Sequence, residues 1–408
     1  MISFVGLALL HLAGGLLRAA ATRADWRQTL RSPASIWFAL IALYALSLGL
    51  IGTVLGVALF IGLRSRLTVR FAPVEVAPPS ALSPGAPWAL ALAVLILARP
   101  WVPTSWDEFV WLAKARLESL GFGTGARLAL DASAHLVPSG YPPLWPAAVG
   151  WVSLGVDSLP AQVSAASLLV LMTLATAMEA WWPRLRSTPG WLVIAVLATP
   201  LFWVHARSTY VDLPLGLLAV ALLGHVLAGE LAAAVVLALV LSGLKDEGLA
   251  HVLATVGAVW LVSPRREWRQ LTPAVAAVLA AAGWRAAAQF GGITNEDHTL
   301  SAPLWRWLPD LGRLLAFHAS DLASWGVFWA IALAVGLRST ESSTRALRLG
   351  LLLNLTLSGA ALLCGPEQVR VFAESGTLLN RLLMQWWPAA AVMVLLEGRR
   401  SAQAAAPR

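Results

Sequence analysis

The sequence predicts an all-α fold, a polytopic transmembrane helical bundle of about twelve spans. Three observations predict it. Hydrophobic residues make up 58% of the 408 and charged residues 12%, at a mean hydropathy of +0.73, whereas soluble domains run near a quarter charged. The apolar residues come in blocks of roughly 15 to 28 separated by Arg, Pro, Trp and Gly, the pattern of repeated bilayer crossings. The formal charge of +8 sits mostly on arginines in short connections, so it is a topology signal and not a nucleic-acid footprint.

The blocks fall at 2–17, 36–63, 88–98, 160–180, 191–205, 213–228, 231–244, 249–262, 273–290, 322–337, 349–363 and 383–396. Basic residues concentrate on the cytoplasmic side of membrane proteins. One alternation puts Arg64, Arg66 and Arg70, then Arg184 and Arg186, then Arg265, Arg266 and Arg269, then Arg338, Arg345 and Arg348, and finally Arg399 and Arg400 on that side. The segments 100–159, 205–212, the turn at Lys245, 291–320 and 365–381 then face outward, and they hold most of the acidic residues and histidines. Arg18, Arg23, Arg27 and Arg31 break the rule if 36–63 crosses once. That block is roughly 42 Å long as a helix, and a hairpin at Gly49, Gly52 or Gly56 would restore the rule. Both remain open at this level.

The chain, 1–408, reads as one integral membrane domain. Residues 1–17 have no preceding basic region and no small-residue cleavage site, which predicts a retained helix. The Pro- and Ser-rich stretch 72–87 predicts a cytoplasmic loop. With 21 tryptophans, many near block ends, an aromatic belt at headgroup depth is well supplied. The single cysteine, Cys364, excludes an internal disulfide and a Cys-based metal cage.

Candidate site residues lie in the external segments. In the loop 100–159, Ser105 is placed to cap a short helix with Asp107 and Glu108 in its first turn, where negative charge meets the positive end of the helix dipole. Trp106, Phe109, Trp111 and Leu112 give that helix an apolar face, so it should lie along the membrane surface. Capping alone is a sufficient reason for such acids. Further on, 139–146, with Tyr141, Pro142 and Pro143, reads as a stiff extended turn leading into an amphipathic segment. Tyr210, Val211 and Asp212 precede Leu213 and Pro214 at a helix start, where Asp212 is either an N-cap or a site residue. Lys245, Asp246 and Glu247 form a charged cluster between two apolar blocks, and ionisable groups at membrane depth are costly and usually functional. Asn295, Glu296, Asp297 and His298 lack metal-ligand spacing and read as a solvated loop. His135, His205, His251 and His318 are scattered. Phosphate-binding Gly-rich loops, Ser nucleophile elbows and zinc-protease His-Glu motifs are absent from the sequence.

Taken together, these pieces resemble the C-type (GT-C) superfamily of polyprenyl-phosphate-dependent glycosyltransferases, which includes protein O-mannosyltransferases and bacterial lipid A aminoarabinose transferases. The pieces are Asp107-Glu108, Tyr141-Pro142-Pro143-Leu144, Tyr210-Val211-Asp212-Leu213-Pro214 and Leu244-Lys245-Asp246-Glu247-Gly248, with Asn380-Arg381-Leu382-Leu383 as a weaker fifth. Each motif is short, and only the ordered set, covering nearly the whole chain, is specific. The resemblance implies a GT-C-like bundle in a bacterial inner membrane with its active site on the periplasmic face. It points to Asp107 as the catalytic acid of the first external loop, with Glu108 as neighbour or substitute. The donor would be a sugar on a polyprenyl phosphate and the acceptor an unidentified glycan, lipid or protein. An inverting transfer needs a base for the acceptor proton and positive charge for the departing phosphate. Lys245 and Arg381 are the candidates for the phosphate and Arg207 a weaker one, with Tyr141, Asp212, Asp246 and Glu247 as further donor-binding residues. No metal ligands are assigned, and a divalent metal has no support in the residues. Two apolar blocks ahead of the span preceding Asp107, and the lack of a large soluble C-terminal domain, depart from better-known members.

Two other classes compete. In a transporter or lipid flippase, Lys245, Asp246 and Glu247 would form an intramembrane binding or proton-relay site, but the inverted repeats such folds carry are not seen. A non-catalytic scaffold subunit is the third class.

Overall fold

The computed structural model describes residues 2–22, 24–48, 105–134, 141–185, 188–264, 266–293, 304–338 and 341–405. The block 88–98, the second half of 36–63, the loop 72–87, Arg23, Arg64, Arg66, Arg70, Arg186, Arg265, His135, Ser139, Gly140 and the run Asn295 to His298 lie outside the described residues.

Among the described residues the chain is helical, with no strand. In order the helices are α1 (Ile2–Thr22), α2 (Trp26–Leu30), α3 (Ser35–Ser47), α4 (Trp106–Arg116), α5 (Thr124–Leu128), α6 (Leu144–Val152), α7 (Leu159–Leu185), α8 (Gly190–Leu197), α9 (Pro200–Ala206) and α10 (Asp212–Ala228). They continue as α11 (Leu231–Leu244), α12 (Glu247–Val262), α13 (Thr272–Phe290), α14 (Leu308–Ala319), α15 (Leu322–Trp325), α16 (Phe328–Arg338), α17 (Ser342–Cys364), α18 (Glu367–Glu374) and α19 (Thr377–Ala405).

Among the described residues five stretches are long and apolar enough to cross a membrane: Ile2–Thr22, Leu159–Leu185, Trp268–Phe290, Ser342–Cys364 and Leu378–Ala404. Shorter apolar helices are Ser35–Ser47, Asp212–Ala228, Leu231–Leu244, Glu247–Val262 and Phe328–Arg338. Large apolar side chains point outward on the outer helices: Leu9, Leu12 and Leu16 of α1, Leu279 of α13, Leu333 and Leu337 of α16. Water would penalise such a surface, whereas lipid tails, as apolar as the side chains themselves, accept it.

Two blocks expected to be continuous are broken. The stretch 191–205 divides at Thr199, because Pro200 lacks the N–H a continuing helix needs and instead opens α9. The stretch 322–337 divides at Gly326, whose φ of +58° ends α15. The segment after Pro143 is α6, and all of Leu144 to Val152 is buried, so it is a core helix and not an amphipathic one.

The bundle is organised around α10, whose residues 212–226 are all buried and which packs against α7, α11, α12 and α19. Its crossing with α19 is backbone to backbone: a Cβ on Gly216 would lie 2.3 Å from the Gln385 carbonyl oxygen. That approach sets the first turn of α10 beside Arg381 and Gln385 of α19. Gly248 does the same for the α11–α12 turn, where a Cβ would meet the Leu241 carbonyl oxygen at 1.8 Å.

Contacts between helix ends also order the arginine clusters. Arg18 hydrogen-bonds Ser32, Ser32 Oγ donates to Glu179 Oε2 at 2.8 Å, and Arg399 reaches the Arg184 carbonyl. Arg18 therefore stands at the same end of the bundle as Arg184 and Arg399. From there α3 runs to the opposite end, where Ser47 packs on Gly123. The described part of 36–63 thus leads away from the end that Arg18 shares with Arg184 and Arg399.

In a Cys364→Ala background, a membrane-impermeant maleimide applied to intact cells should label Ser133→Cys and leave Gln28→Cys unlabelled until lysis. Equal labelling of both positions would contradict the two-ended arrangement.

Candidate functional site

The Asp107 end of the bundle gathers residues from four separate stretches. Ser105 caps α4 as its sequence suggests, accepting the Glu108 N–H at 3.3 Å. Asp107 and Glu108, adjacent in that first turn, then diverge. Asp107 has a side chain 41% exposed and pairs through Oδ2 with Arg381 Nη1 at 2.5 Å. Glu108 is buried and accepts the Thr209 N–H at 3.4 Å. The turn after α9 is fastened to the same spot, because the Tyr210 hydroxyl donates to Ser105 Oγ at 2.7 Å. Burial raises the Tyr210 hydroxyl above its usual range, with the Ser105 bond and Arg381 acting in the opposite direction.

At the centre is Asp212, fully buried at the start of α10. The N-cap position of α10 is Val211, one residue earlier, and the Asp212 carboxylate is engaged by side-chain donors. Oδ2 accepts Arg381 Nε at 2.8 Å, while Oδ1 accepts Lys245 Nζ at 3.2 Å and Gln385 Nε2 at 2.7 Å. A buried carboxylate without partners would cost several kcal/mol, roughly the penalty that three donors offset here. Lys245, in the extended link between α11 and α12, also reaches Glu247 Oε1 at 2.7 Å. Arg381 lies under the Tyr210 ring, its guanidinium carbon 5.3 Å from the ring centroid. Behind this cluster Gln385 Oε1 faces His251 Nε2 at 3.0 Å, and both line a narrow cleft with Gly216, Thr255 and Asn354.

Of the residues singled out in the sequence, Asp107, Glu108, Asp212, Lys245, Glu247 and Arg381 are brought together. Asp246 turns away to Arg285 Nη2 of α13, at 2.7 Å. Arg207 lies over the Trp203 ring at 5.2 Å, and Tyr141 meets Trp111 of α4 edge-on at 6.4 Å. Trp111 and Leu112 turn inward and Phe109 outward, so α4 is docked on the bundle by one face.

Gln385 and His251 are partners that motif reading missed, and Tyr210 was quoted with its motif but given no role. The signal was present: Gln385 is four residues after Arg381 and His251 four after Glu247, one helical turn on the same face. The scattered histidines therefore include one with a side-chain partner. Among the described residues no group of three or more His, Cys, Asp or Glu is placed to hold a metal ion.

Fold and site together define a membrane-type helical bundle with a buried ion-pair network at one end. Comparison with known protein families, with characterised proteins and with solved structures finds no match to the chain.

Asp212→Asn should destabilise the protein by about 3 kcal/mol or more, since it leaves buried cations under-paired. Asp107→Asn, at the rim, should cost under ~1 kcal/mol. Thermal unfolding in detergent compares them, and equal losses would refute the central place of Asp212. Lys114 on α4 supplies a pH test, because burial pushes its amine down to about 8. The folded state then binds fewer protons than the unfolded one between about 8 and 10.5, so stability should rise with pH across that window. Lys114→Met should flatten the rise; an unchanged profile would rule Lys114 out as its source.

Proposed function

We propose that the chain is a membrane glycosyltransferase of the GT-C kind, a bundle of about twelve spans in a bacterial inner membrane. It transfers a sugar from a polyprenyl-phosphate donor to a glycan, lipid or protein acceptor on the periplasmic face. One observation carries this reading: Asp107, Asp212, Lys245 and Arg381, from four motifs spread over 274 residues of chain, meet in one cluster at one end of the bundle. Capping explains the acids of α4 singly but not their meeting with Arg381 and Asp212.

In the proposed reaction the acceptor hydroxyl gives its proton to the Asp107 carboxylate as its oxygen bonds the anomeric carbon. The bond from that carbon to the phosphate oxygen breaks, and its electron pair leaves with the polyprenyl phosphate. Arg381 offers a planar fork to the phosphate, and Lys245 adds a positive charge behind it. Asp212 holds both cations in place, which keeps their charge directed at the point where negative charge develops. Glu108, buried against the α9–α10 turn, supports α4 and leaves the proton transfer to its more exposed neighbour.

The line from Lys245 through Asp212 and Gln385 to His251 runs towards the bundle interior and favours a second reading, a transporter or flippase with a proton-linked site. Reconstituted vesicles separate the two. Labelled sugar supplied on a polyprenyl phosphate should appear on acceptor, and Asp107→Asn should reduce that incorporation at least about a hundred-fold with insertion intact. Wild-type incorporation by this variant, or label crossing the bilayer without leaving its lipid, would overturn the enzymatic reading.

A further inference from the structure

Neither Arg381 nor Lys245, the two cations paired with Asp212, stands free for a phosphate. Four carboxylates, Asp107, Glu108, Asp212 and Glu247, stand near two cations, and both cations are committed. Lys245, with a side chain 4% exposed, is held by Asp212 and Glu247. Arg381 is held by Asp212 through Nε and by Asp107 through Nη1. An anion entering this site must displace a carboxylate that is already there.

The four acids are unequally easy to displace. Asp212 is fully buried and Glu108 nearly so, and Glu247 is 27% exposed and shares an already buried lysine. Asp107 is the most exposed of them at 41%, on the first turn of a helix docked by one face only. Its release exposes a carboxylate to water at little desolvation cost, whereas release of Asp212 would strand a charge in the core. On the arginine, the Nε side is fixed by Asp212 and the ring face by Tyr210. The remaining Nη1–Nη2 edge is the one Asp107 occupies through Nη1, and a guanidinium edge of that kind binds a phosphate through two parallel N–H bonds.

We infer that Asp107 and the donor phosphate are competing ligands of Arg381, so that donor binding is the event that frees the base. This rests on the proposed glycosyl transfer and adds an order to it. Before the donor arrives, Asp107 is tied to Nη1 and closed to an acceptor hydroxyl. When a prenyl phosphate takes the Nη1–Nη2 edge, the carboxylate is released beside the anomeric carbon it must serve. The arrangement withholds base catalysis until the donor is seated, and it predicts that the donor binds before the acceptor.

The test uses the full chain in lipid nanodiscs, with farnesyl phosphate as the probe and farnesol as its uncharged control. Removing the competitor should strengthen binding: Asp107→Asn should bind farnesyl phosphate about five-fold more tightly than wild type, the worth of a rim ion pair, with farnesol binding unchanged. In an Arg381→Gln background the gain should vanish, and Arg381→Lys, which keeps a charge for Asp212 but loses the fork, covers the case in which the glutamine variant does not fold. Equal affinities for wild type and Asp107→Asn would overturn the exchange, as would a gain that persists without Arg381, since that is plain charge repulsion. If neither protein distinguishes farnesyl phosphate from farnesol, the donor assignment falls along with the exchange. Phosphate-selective binding by wild type without a gain in the variant removes the exchange alone.

Discussion

A carboxylate shut away from water has to be answered by charges brought to it, and in this protein that carboxylate is Asp212. It opens a helix buried from residue 212 to 226 and holds Arg381 from α19, Lys245 from the α11–α12 link and Gln385. Burial makes each of those pairs obligatory, since loss of any partner leaves charge in a medium that cannot solvate it. The close crossing at Gly216 exists in the same region, and together they pin the ends of three helices to one point. Everything at the rim depends on this, because Arg381 is presented to Asp107 only in the orientation that Asp212 imposes.

Sugar transfer from a lipid phosphate needs a rigid cation for the leaving group and a mobile, accessible base for the acceptor. The site divides its charges along that line. The cations are buried and doubly held, whereas Asp107 sits on a surface-docked helix with much of its side chain exposed. Helix α4 is positioned from below by Trp111 and Leu112 and tied at its start to Tyr210 through Ser105. A loop carrying acids without this docking would have no fixed relation to Arg381.

The bundle was readable because hydropathy blocks respond to the strongest force acting on them, and most blocks became helices near their expected limits. The capping of α4 by Ser105 was readable because it is local. Membrane cost singled out Lys245, Asp246 and Glu247 together, but it could not distinguish Asp246 from Glu247, neighbours on one turn that leave it towards different helices. Helical spacing placed Gln385 and His251 one turn from Arg381 and Glu247, but their pairing with each other and with Asp212 joins residues more than a hundred positions apart. The breaks at Pro200 and Gly326 were visible as residues, but apolar runs on both sides outweighed them. For 36–63 the sequence left a single pass and a hairpin both open, and the described part, α3, ends at Ser47.

The most direct measurement is mass spectrometry of the lipid retained by the purified protein. The account predicts an isoprenoid phosphate bound to the wild-type chain and lost from Arg381→Lys, against a constant background of ordinary phospholipid. Phospholipid alone in both preparations would contradict it.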